Sequence, residues 1–296
     1  MKVRFSSGER DMSKLAVETL EIGMYYKQVR EERGYTLADV AMSSDYLDKS
    51  QLSRFESGES MLSADRFLAA IDGLNMTVNE FVALRSSEPS QYRVFSEKIM
   101  AYVMVGDIGG LKDLIKPKAR MKMDKIFNIL VKSAILDISQ ENLITTAEKK
   151  FLENYLLNIP YWTFFEVNIF GMCLEILDEE EVYDLGQDML ASHELSKIIA
   201  FNGEIVKKTA INLYVYLISK GWYTRAEQIE KELDKLLTEW DMEEKISIHI
   251  FKKFAQYKKE RSPELLKEVQ DDIQGLKKLG ANGIANRFAM DIERYC

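Results

Sequence analysis

The stretch from Val29 to Gly58 reads VREERGYTLADVAMSSDYLDKSQLSRFESG and decides the fold of the N-terminal part of the chain. Gly34 is expected to end a helix that arrives from the N-terminal side, because glycine readily takes the left-handed conformation that follows a helix. Thr36 is expected to cap a short helix that runs to Ala41, and a second short helix is expected from Lys49 to Glu56. The pattern predicts two short helices joined by a tight turn.

Helical patterns on both sides of this stretch add three further helices. One ends at Glu32, one begins at Ser63 or Ala64 and runs to Leu74, and one ends near Phe81. Two short helices held by three packing helices form a helix-turn-helix module. The apolar residues that suit its small common core are Leu37, Val40, Ala41, Leu52 and Phe55.

The second short helix presents polar side chains away from this core, namely Lys49, Ser50, Ser53 and Arg54. Cationic side chains bind phosphates and guanine edges in a DNA groove, and hydroxyls bind phosphates or base edges. A solvated helix face is the alternative interpretation, and the surrounding five-helix pattern favours the DNA-binding one. The sequence therefore predicts double-stranded DNA as a partner.

The composition limits other functions. The 296 residues are 46% hydrophobic and carry a formal charge of -8, which argues at first sight against nucleic acid. Residues 1–86 are also net acidic, so dimerisation is expected to supply much of the DNA affinity. No apolar run suits a membrane span, no signal-peptide core is found, and two cysteines cannot form a disulfide framework. A cytoplasmic protein with no membrane partner is expected.

Catalytic and metal-binding motifs are missing from the sequence. The histidines are His193 and His249, and Lys197 stands where a zinc-peptidase helix carries its second histidine. No Cys/His cluster indicates zinc, and no glycine-rich stretch has the ending of a phosphate-binding loop. The sequence predicts a protein that is not an enzyme and that uses no cofactor and no metal.

Helical spacing continues from Gln91 to the end of the chain and predicts about ten helices. The pair spacing is typical of helix-hairpin repeats, so the predicted architecture is an α-solenoid, with a compact helical bundle as the alternative. Predicted helix starts are the capping boxes Thr145/Glu148 and Asp178/Glu181 and the pair Ser262-Pro263. Predicted stops are Pro117, Pro160, Gly221 and Gly280.

Four segments follow from these patterns, with a boundary at the polar stretch around Pro89. They are an N-terminal arm (1–22), a helix-turn-helix DNA-binding domain (23–86), a linker (87–92) and a helical repeat domain (93–296).

Aromatic and amide side chains in the repeat domain are candidates for a binding surface. A concave helical surface with aromatics offers contact area, and amides can hold a peptide backbone. Asn168 and Asn212 lie in otherwise apolar helices, where an amide needs a partner, and Tyr216 shares the face of Asn212. Aromatics at this spacing also build cores, which is the alternative. The candidates are Tyr161, Trp162, Phe165, Asn168, Asn202, Asn212 and Tyr216.

Residues 29–41 and 51–58 resemble the phage-repressor (XRE) type of helix-turn-helix. The resemblance implies an ion pair between Arg30 and Glu56 near the DNA backbone. It also implies DNA contacts from Thr36, Lys49, Ser50, Gln51, Ser53 and Arg54.

More narrowly, residues 49–56 and the layout of the later helices resemble the Rgg/GadR/MutR regulators. That resemblance implies an all-α fold: a five-helix XRE-type helix-turn-helix domain followed by a tetratricopeptide-like α-solenoid. It further implies a homodimer that binds an inverted-repeat promoter site, responds to a short hydrophobic signalling peptide in quorum sensing, and has RNA polymerase as a further partner. The alternatives are a ligand-independent dimeric repressor and a helical-repeat adapter with a DNA-binding domain.

Overall fold

The computed structural model describes residues 15–85, 91–192 and 200–295. The chain divides into two compact units, Met1–Gln91 and Tyr92–Cys296. Over the described ranges the backbone forms helices and connecting turns without any strand, so the all-α prediction is confirmed. None of the helices in those ranges has the length and apolar composition that crossing a bilayer requires.

The first unit consists of five helices within its described residues. Its two short helices are joined by a turn and are flanked by three others, so the predicted helix-turn-helix fold is confirmed. The helices are α1 (Leu15–Glu32), α2 (Leu37–Met42), α3 (Lys49–Glu56), α4 (Ala64–Asp72) and α5 (Val78–Arg85).

The sequence explains where these helices begin and end. Gly34 takes a φ of 79°, a left-handed conformation that stops the chain from continuing α1. Thr36 caps α2 and forms a capping box with Asp39, as the residue types at those positions favour. Asn75, with a φ of 52°, turns the chain between α4 and α5.

The core of the first unit is built from aromatic rings. Phe81 lies edge-on to Phe67 with ring centroids 5.7 Å apart, and Phe67 lies edge-on to Phe55 at 5.9 Å. Tyr26 is fully buried beside Phe55 and donates its hydroxyl hydrogen to the carbonyl of Ala70. Such rings bury a large area in few residues, which is how a small domain acquires a core.

Gly23 sets the distance between α1 and α3. A Cβ atom at this position would lie 1.8 Å from the carbonyl oxygen of Phe55, so only glycine permits the observed approach. The close contact fixes α3 against α1 and leaves its opposite face to solvent.

The predicted boundaries of the first unit need two corrections. Helix α1 begins at Leu15, inside the arm predicted for residues 1–22. Residues 15–22 contain no glycine or proline that would prevent helix formation, so the predicted arm extends too far. Helix α6 begins at Gln91, inside the predicted linker 87–92. Residues 1–14 and 86–90 lie outside the described residues.

The second unit is a two-layered helical array, so the α-solenoid prediction is confirmed and the compact bundle is not supported. One layer contains α8, α10, α12 and α14, each in contact with the next, and the other layer contains α9, α11 and α13. The described helices are α6 (Gln91–Val105), α7 (Ile108–Asp113), α8 (Lys122–Ser139), α9 (Thr146–Leu157), α10 (Phe164–Met172), α11 (Glu179–Ala191), α12 (Ala200–Ser219), α13 (Tyr223–Leu236), α14 (Met242–Glu260), α15 (Pro263–Lys278) and α16 (Asn282–Tyr295).

Helix capping in the second unit agrees with the sequence at two of three predicted starts. Thr145 forms a capping box with Glu148, and Ser262 caps α15 ahead of Pro263. The predicted box at Asp178 is wrong, because the Asp178 side chain forms no cap hydrogen bond and instead pairs with Lys149 on α9. The ammonium group competes better for this exposed carboxylate than a backbone N–H does.

Candidate functional site

Arg30 and Glu56 form the ion pair that holds α1 to the end of α3. The Arg30 Nε and Nη2 atoms donate to the two oxygens of Glu56 at 2.6 and 2.7 Å. The Nη1 atom donates to the carbonyl of Tyr35 at 2.7 Å, so the guanidinium group also holds the turn before α2. Both side chains are buried, and the hydrogen bond to Glu56 raises the pKa of Arg30. The ion pair fixes the C-terminal end of α3 against α1 on the buried side of the helix.

Asp48 is the N-cap of α3, a role that was not among the predictions from the sequence. Its Oδ1 atom accepts hydrogen bonds from the backbone N–H groups of Ser50 and Gln51 at 2.8 Å and from the Ser50 hydroxyl at 2.7 Å. The Ser50 hydroxyl and then the backbone N–H of Gln51 hold the pKa of Asp48 below its usual value. The signal was available, because aspartate directly before a helix is a common cap.

The outward face of α3 carries exposed polar side chains. Lys49, Ser53 and Arg54 are exposed, whereas Leu52 and Phe55 on the opposite face are buried. Within the described part of the chain, the cationic groups of Lys49 and Arg54 form no ion pair or hydrogen bond. They are therefore open to an anionic partner such as a DNA phosphate.

Gln51 and Thr36 occupy different environments from these residues. Gln51 is half-buried, and its Oε1 atom is shielded from solvent without a hydrogen-bond partner. Thr36 is exposed, but its hydroxyl donates to Asp39 at 2.7 Å within the capping box. A role for Thr36 in DNA contact stays a prediction.

The second unit contains a cleft of about 450 Å³ that is lined by α8, α10, α12 and α14 of one layer together with α6 and α16. Its apolar wall includes Met100 and Val103 from α6, Val215 from α12, and Phe251 and Phe288 from α14 and α16. Pockets of this size hold small ligands or short peptide segments.

Two of the predicted peptide-contacting residues lie in this cleft. Asn212 is exposed, and within the described residues its amide forms no hydrogen bond with the protein. Tyr216, one turn later on α12, lines the same cleft but is mostly buried. The exposed amide offers one donor group and one acceptor group to a ligand backbone among apolar neighbours.

The other five predicted residues lie away from the cleft. Trp162 is buried against Phe170, and its indole N–H donates to Asp188 at 2.7 Å. Asn202 is buried and donates to the carbonyl of Trp162. Both side chains form hydrogen bonds inside the protein, and the predicted peptide contacts of Trp162 and Asn202 stay predictions.

Phe165, Asn168 and Tyr161 complete that group. Phe165 packs edge-on against Tyr92 with ring centroids 4.9 Å apart. Asn168 donates to the carbonyl of Phe164 in its own helix, and Tyr161 is exposed in the turn before α10. The structure does not bring these residues to the cleft.

The cleft also contains charged side chains of α16 that were not among the predicted site residues. Arg287, Asp291 and Arg294 line the cleft, as does Asp137 of α8. Their spacing along α16 is i, i+4 and i+7, so they share a helix face, which is the signal that could have found them. Burial raises the pKa of Asp291 to about 6, Arg287 and Arg294 oppose that rise, and Asp137 adds to it.

Three carboxylates on α9 and at the start of α11 lie close enough to hold a metal ion. Oxygen atoms of Glu153, Asp178 and Glu181 all lie within 4.8 Å of one another. Burial and then the Glu181 carboxylate raise the pKa of Glu153. The Lys149 ammonium group pairs with Asp178 and lies 3.9 Å from Glu153, so it already supplies a positive charge here.

Solved structures share this arrangement of helices. The SHP pheromone receptor Rgg2 of Streptococcus dysgalactiae has a TM-score of 0.77 at 20% identity, covering 93% of this chain and 100% of that chain. A bacterial peptide pheromone/receptor complex has a TM-score of 0.66 at 14% identity, covering 93% and 98%. PrgX has a TM-score of 0.64 at 13% identity, covering 91% and 92%. At these identities the likeness is one of fold.

Two families match the sequence itself. Residues 27–81, a range that includes α2 and α3, match the helix-turn-helix family. Residues 111–290 match the family described as HTH-type transcriptional regulator Rgg, C-terminal domain. Because the second match spans more than half of the chain, the protein belongs to the Rgg family of helix-turn-helix transcriptional regulators and is a DNA-binding regulator.

Proposed function

We propose that this regulator is controlled by a short apolar peptide that binds in the cleft of the second unit. The single observation that carries the proposal is the exposed amide of Asn212 in a cleft of about 450 Å³ with apolar walls. Apolar side chains of a peptide would bury area against Met100, Val103 and Val215. The Asn212 amide would replace hydrogen bonds that the peptide backbone loses with water.

The fold neighbours support this choice of ligand. Rgg2 is described as a pheromone receptor, and a second neighbour is a complex of a peptide pheromone with its receptor. The specific ligand proposed for this chain is a quorum-sensing peptide that reaches the protein in the cytoplasm.

For DNA, we propose that two copies of the chain act as a dimer on an inverted-repeat promoter site. Each copy would place α3 in a major groove, where Lys49, Ser53 and Arg54 contact phosphates and base edges. Ser50, Gln51 and Thr36 are the further contacts in this proposal. Two copies are needed because so few cations give a single unit only weak affinity.

Peptide binding would change the DNA affinity, or the contact with RNA polymerase, by favouring one arrangement of the dimer. A ligand shifts such an equilibrium only by the difference between its affinities for the two arrangements. Coupling of this kind is reciprocal, so DNA should change the peptide affinity by the same factor.

The test uses the full-length chain and a pool of octapeptides composed of Leu, Ile, Val, Phe and Gly. Peptides that co-elute with the protein in gel filtration are identified by mass spectrometry, and their dissociation constants are measured by calorimetry. Asn212→Ala is expected to weaken binding about tenfold, the equivalent of one backbone hydrogen bond. The matched control is Asn168→Ala, which removes an amide outside the cleft.

Duplexes selected from a random DNA library then report on regulation. A change of DNA affinity or dimer mass on adding a bound peptide supports the proposal. Failure of every peptide to bind, with DNA binding intact, favours a ligand-independent repressor. Equal losses in the Asn212→Ala and Asn168→Ala variants contradict the assignment of the cleft.

A further inference from the structure

Asp291 differs from the other charged side chains of the cleft because it has no partner of opposite charge. Arg294 forms an ion pair with Asp137, and the Arg287 guanidinium group lies 3.8 Å from Glu243 of α14. Glu175, which also lines the cleft, lies 2.9 Å from the ammonium group of Lys220. Within the described residues, the Asp291 carboxylate forms neither an ion pair nor a hydrogen bond.

The position of Asp291 makes the absence of an ion-pair partner energetically unfavourable. The side chain is half-buried beside the apolar wall of the cleft, and burial raises its pKa to about 6. Near neutral pH most of the carboxyl groups are therefore ionised but poorly solvated. Arg287 and Arg294 compensate this loss of solvation only in part, because neither forms an ion pair with Asp291. A cation placed next to Asp291 would add a direct ion pair.

The two arginines nearest to Asp291 on α16 form ion pairs with other carboxylates. Arg287 and Arg294 lie one turn on either side of Asp291 along α16, yet their guanidinium groups are directed to Glu243 and Asp137. If either guanidinium group moved to Asp291, Glu243 or Asp137 would lose its ion-pair partner. A cation from a ligand meets no such competition.

We propose that Asp291 binds a cationic group of the ligand, so that the cleft selects short apolar peptides that carry a free α-ammonium group or a basic side chain. This inference rests on the proposed peptide-binding function and specifies its ligand class. The apolar walls hold the peptide side chains, Asn212 holds the backbone, and Asp291 orients the peptide by its positive charge.

An anionic peptide is the opposite possibility, with a carboxylate held by Arg287 and Arg294. It is disfavoured because both guanidinium groups already have carboxylate partners and because Asp291 and Asp137 would repel it. The experiment distinguishes the two by the charge of the peptide that binds.

The test compares four octapeptide pools with the full-length protein. All contain Leu, Ile, Val, Phe and Gly. The first pool has a free N-terminus and an amidated C-terminus, and the second is acetylated and amidated. The third is acetylated and amidated with one lysine, and the fourth is acetylated with a free carboxylate. Retention of each pool in gel filtration is measured by mass spectrometry, and affinities of retained peptides are measured by calorimetry.

The first or third pool is expected to bind about tenfold more tightly than the second, as a charge-assisted hydrogen bond provides. A preference for the first pool identifies the α-ammonium group, and a preference for the third identifies a basic side chain. Asp291→Asn should abolish the preference, and Asp291→Glu should retain it. Glu293→Gln, which removes the same charge from an exposed position of α16 outside the cleft, should leave the preference unchanged.

A pH series on the unaltered protein gives a second measurement that does not depend on a variant folding. A bound cation favours ionised Asp291, so the preference should decline as the pH falls through about 6. The ammonium groups of the peptides stay protonated over that range. Among the described residues, the charged and titratable groups that face Asp291 are Arg287, Arg294 and Tyr295 of α16 and Asp137 of α8. Glu243 of α14 and Glu175 pair with nearby cations.

The outcomes separate this inference from the function on which it rests. If all pools bind alike, or if the fourth pool binds best, the cation inference is overturned and the peptide-binding function stands. If no pool binds, both are overturned. A preference for cationic pools that persists in Asp291→Asn also overturns the assignment to Asp291.

Discussion

Arg294 on α16 forms an ion pair with Asp137 on α8, and it thereby joins two helices whose paired residues are 157 positions apart in the chain. Both residues line the cleft. The Asp137 side chain is 62% exposed, so the pair is expected to contribute less than about 1 kcal/mol to the free energy of unfolding. Its effect is local, because it holds the last helix of the array against α8.

Asp137→Asn should therefore loosen α16 without unfolding the array. Amide hydrogen exchange over residues 282–295 is expected to rise, while the melting temperature falls by no more than about 2–4 °C. Asp184→Asn, at an exposed position of α11, is the matched control and should leave exchange in α16 unchanged. Equal exchange in the two variants would show that the pair does not hold the helix.

The same Asp137→Asn variant should lower the pKa of Asp291. In the unaltered protein, burial raises the pKa of Asp291 to about 6, Asp137 adds to the rise, and Arg294 opposes it. The substitution removes a negative charge and frees Arg294 to approach Asp291, and both changes favour the ionised carboxylate. A carboxyl-carbon NMR titration measures this directly. A pKa that stays the same or rises would contradict the described electrostatics of the cleft.

Removing one member of the Arg30–Glu56 pair should destabilise the first unit strongly. Both groups are buried, and Glu56→Ala would leave the Arg30 guanidinium group with only the exposed Glu31 carboxylate at 3.4 Å, so it is expected to cost about 3 kcal/mol. Arg30→Ala should cost as much or more, because the hydrogen bond to the Tyr35 carbonyl is also lost. Urea unfolding measures these values.

A double-mutant cycle separates the pair from its surroundings. The double variant should lose less stability than the two single variants lose in total, because it removes both buried charges and leaves neither one alone. Glu232→Ala and Lys235→Ala, which alter a solvent-accessible pair on α13 at 2.7 Å, form the control cycle and should show a coupling below about 0.5 kcal/mol. Additive losses at Arg30 and Glu56 would contradict the interpretation.

The helix-turn-helix unit could be predicted from sequence because its determinants are local. Thr36 caps the helix that follows it, and Gly34 ends the one before. Even the pairing of Arg30 with Glu56 follows from a family resemblance over a short stretch. The cap at Asp48 was not predicted, although aspartate directly before a helix is a common cap.

The cleft could be predicted only in part, because it is formed by residues far apart in the chain. Helical periodicity places Asn212 and Tyr216 on one face, but it does not say that Asp291 of α16 returns to that face. Trp162 shows a second limit of prediction from the sequence. Its aromatic ring suits a pocket or a core equally well, and its hydrogen bond to Asp188 of α11 joins residues that are 26 positions apart in the chain.

The cap at Asp48 should make the stability of the first unit depend on pH. The pKa of Asp48 is lowered in the folded state, so its contribution is present above the unfolded pKa of about 3.9 and is lost as the pH falls through the folded value. Asp48→Ala should therefore lower the melting temperature at neutral pH, and its difference from the unaltered protein should shrink below about pH 4. Asp45→Ala, in the same turn, is the control. A difference that is constant with pH would contradict the role of the carboxylate.

Arg54→Ala should remove sequence-specific DNA binding while leaving the fold intact. The side chain is exposed on α3 and supports no packing, so the melting temperature should not change. Loss of a good contact to a guanine edge costs about 1–3 kcal/mol, so affinity for a selected duplex should fall roughly 10- to 100-fold in each half-site. Lys231→Ala removes one exposed charge from α13 and controls for the change of net charge. If both variants lose the same modest affinity, Arg54 acts only through long-range electrostatics and α3 does not read the bases. If Arg54→Ala alone loses the selected duplex but keeps its affinity for random DNA, α3 supplies the specificity.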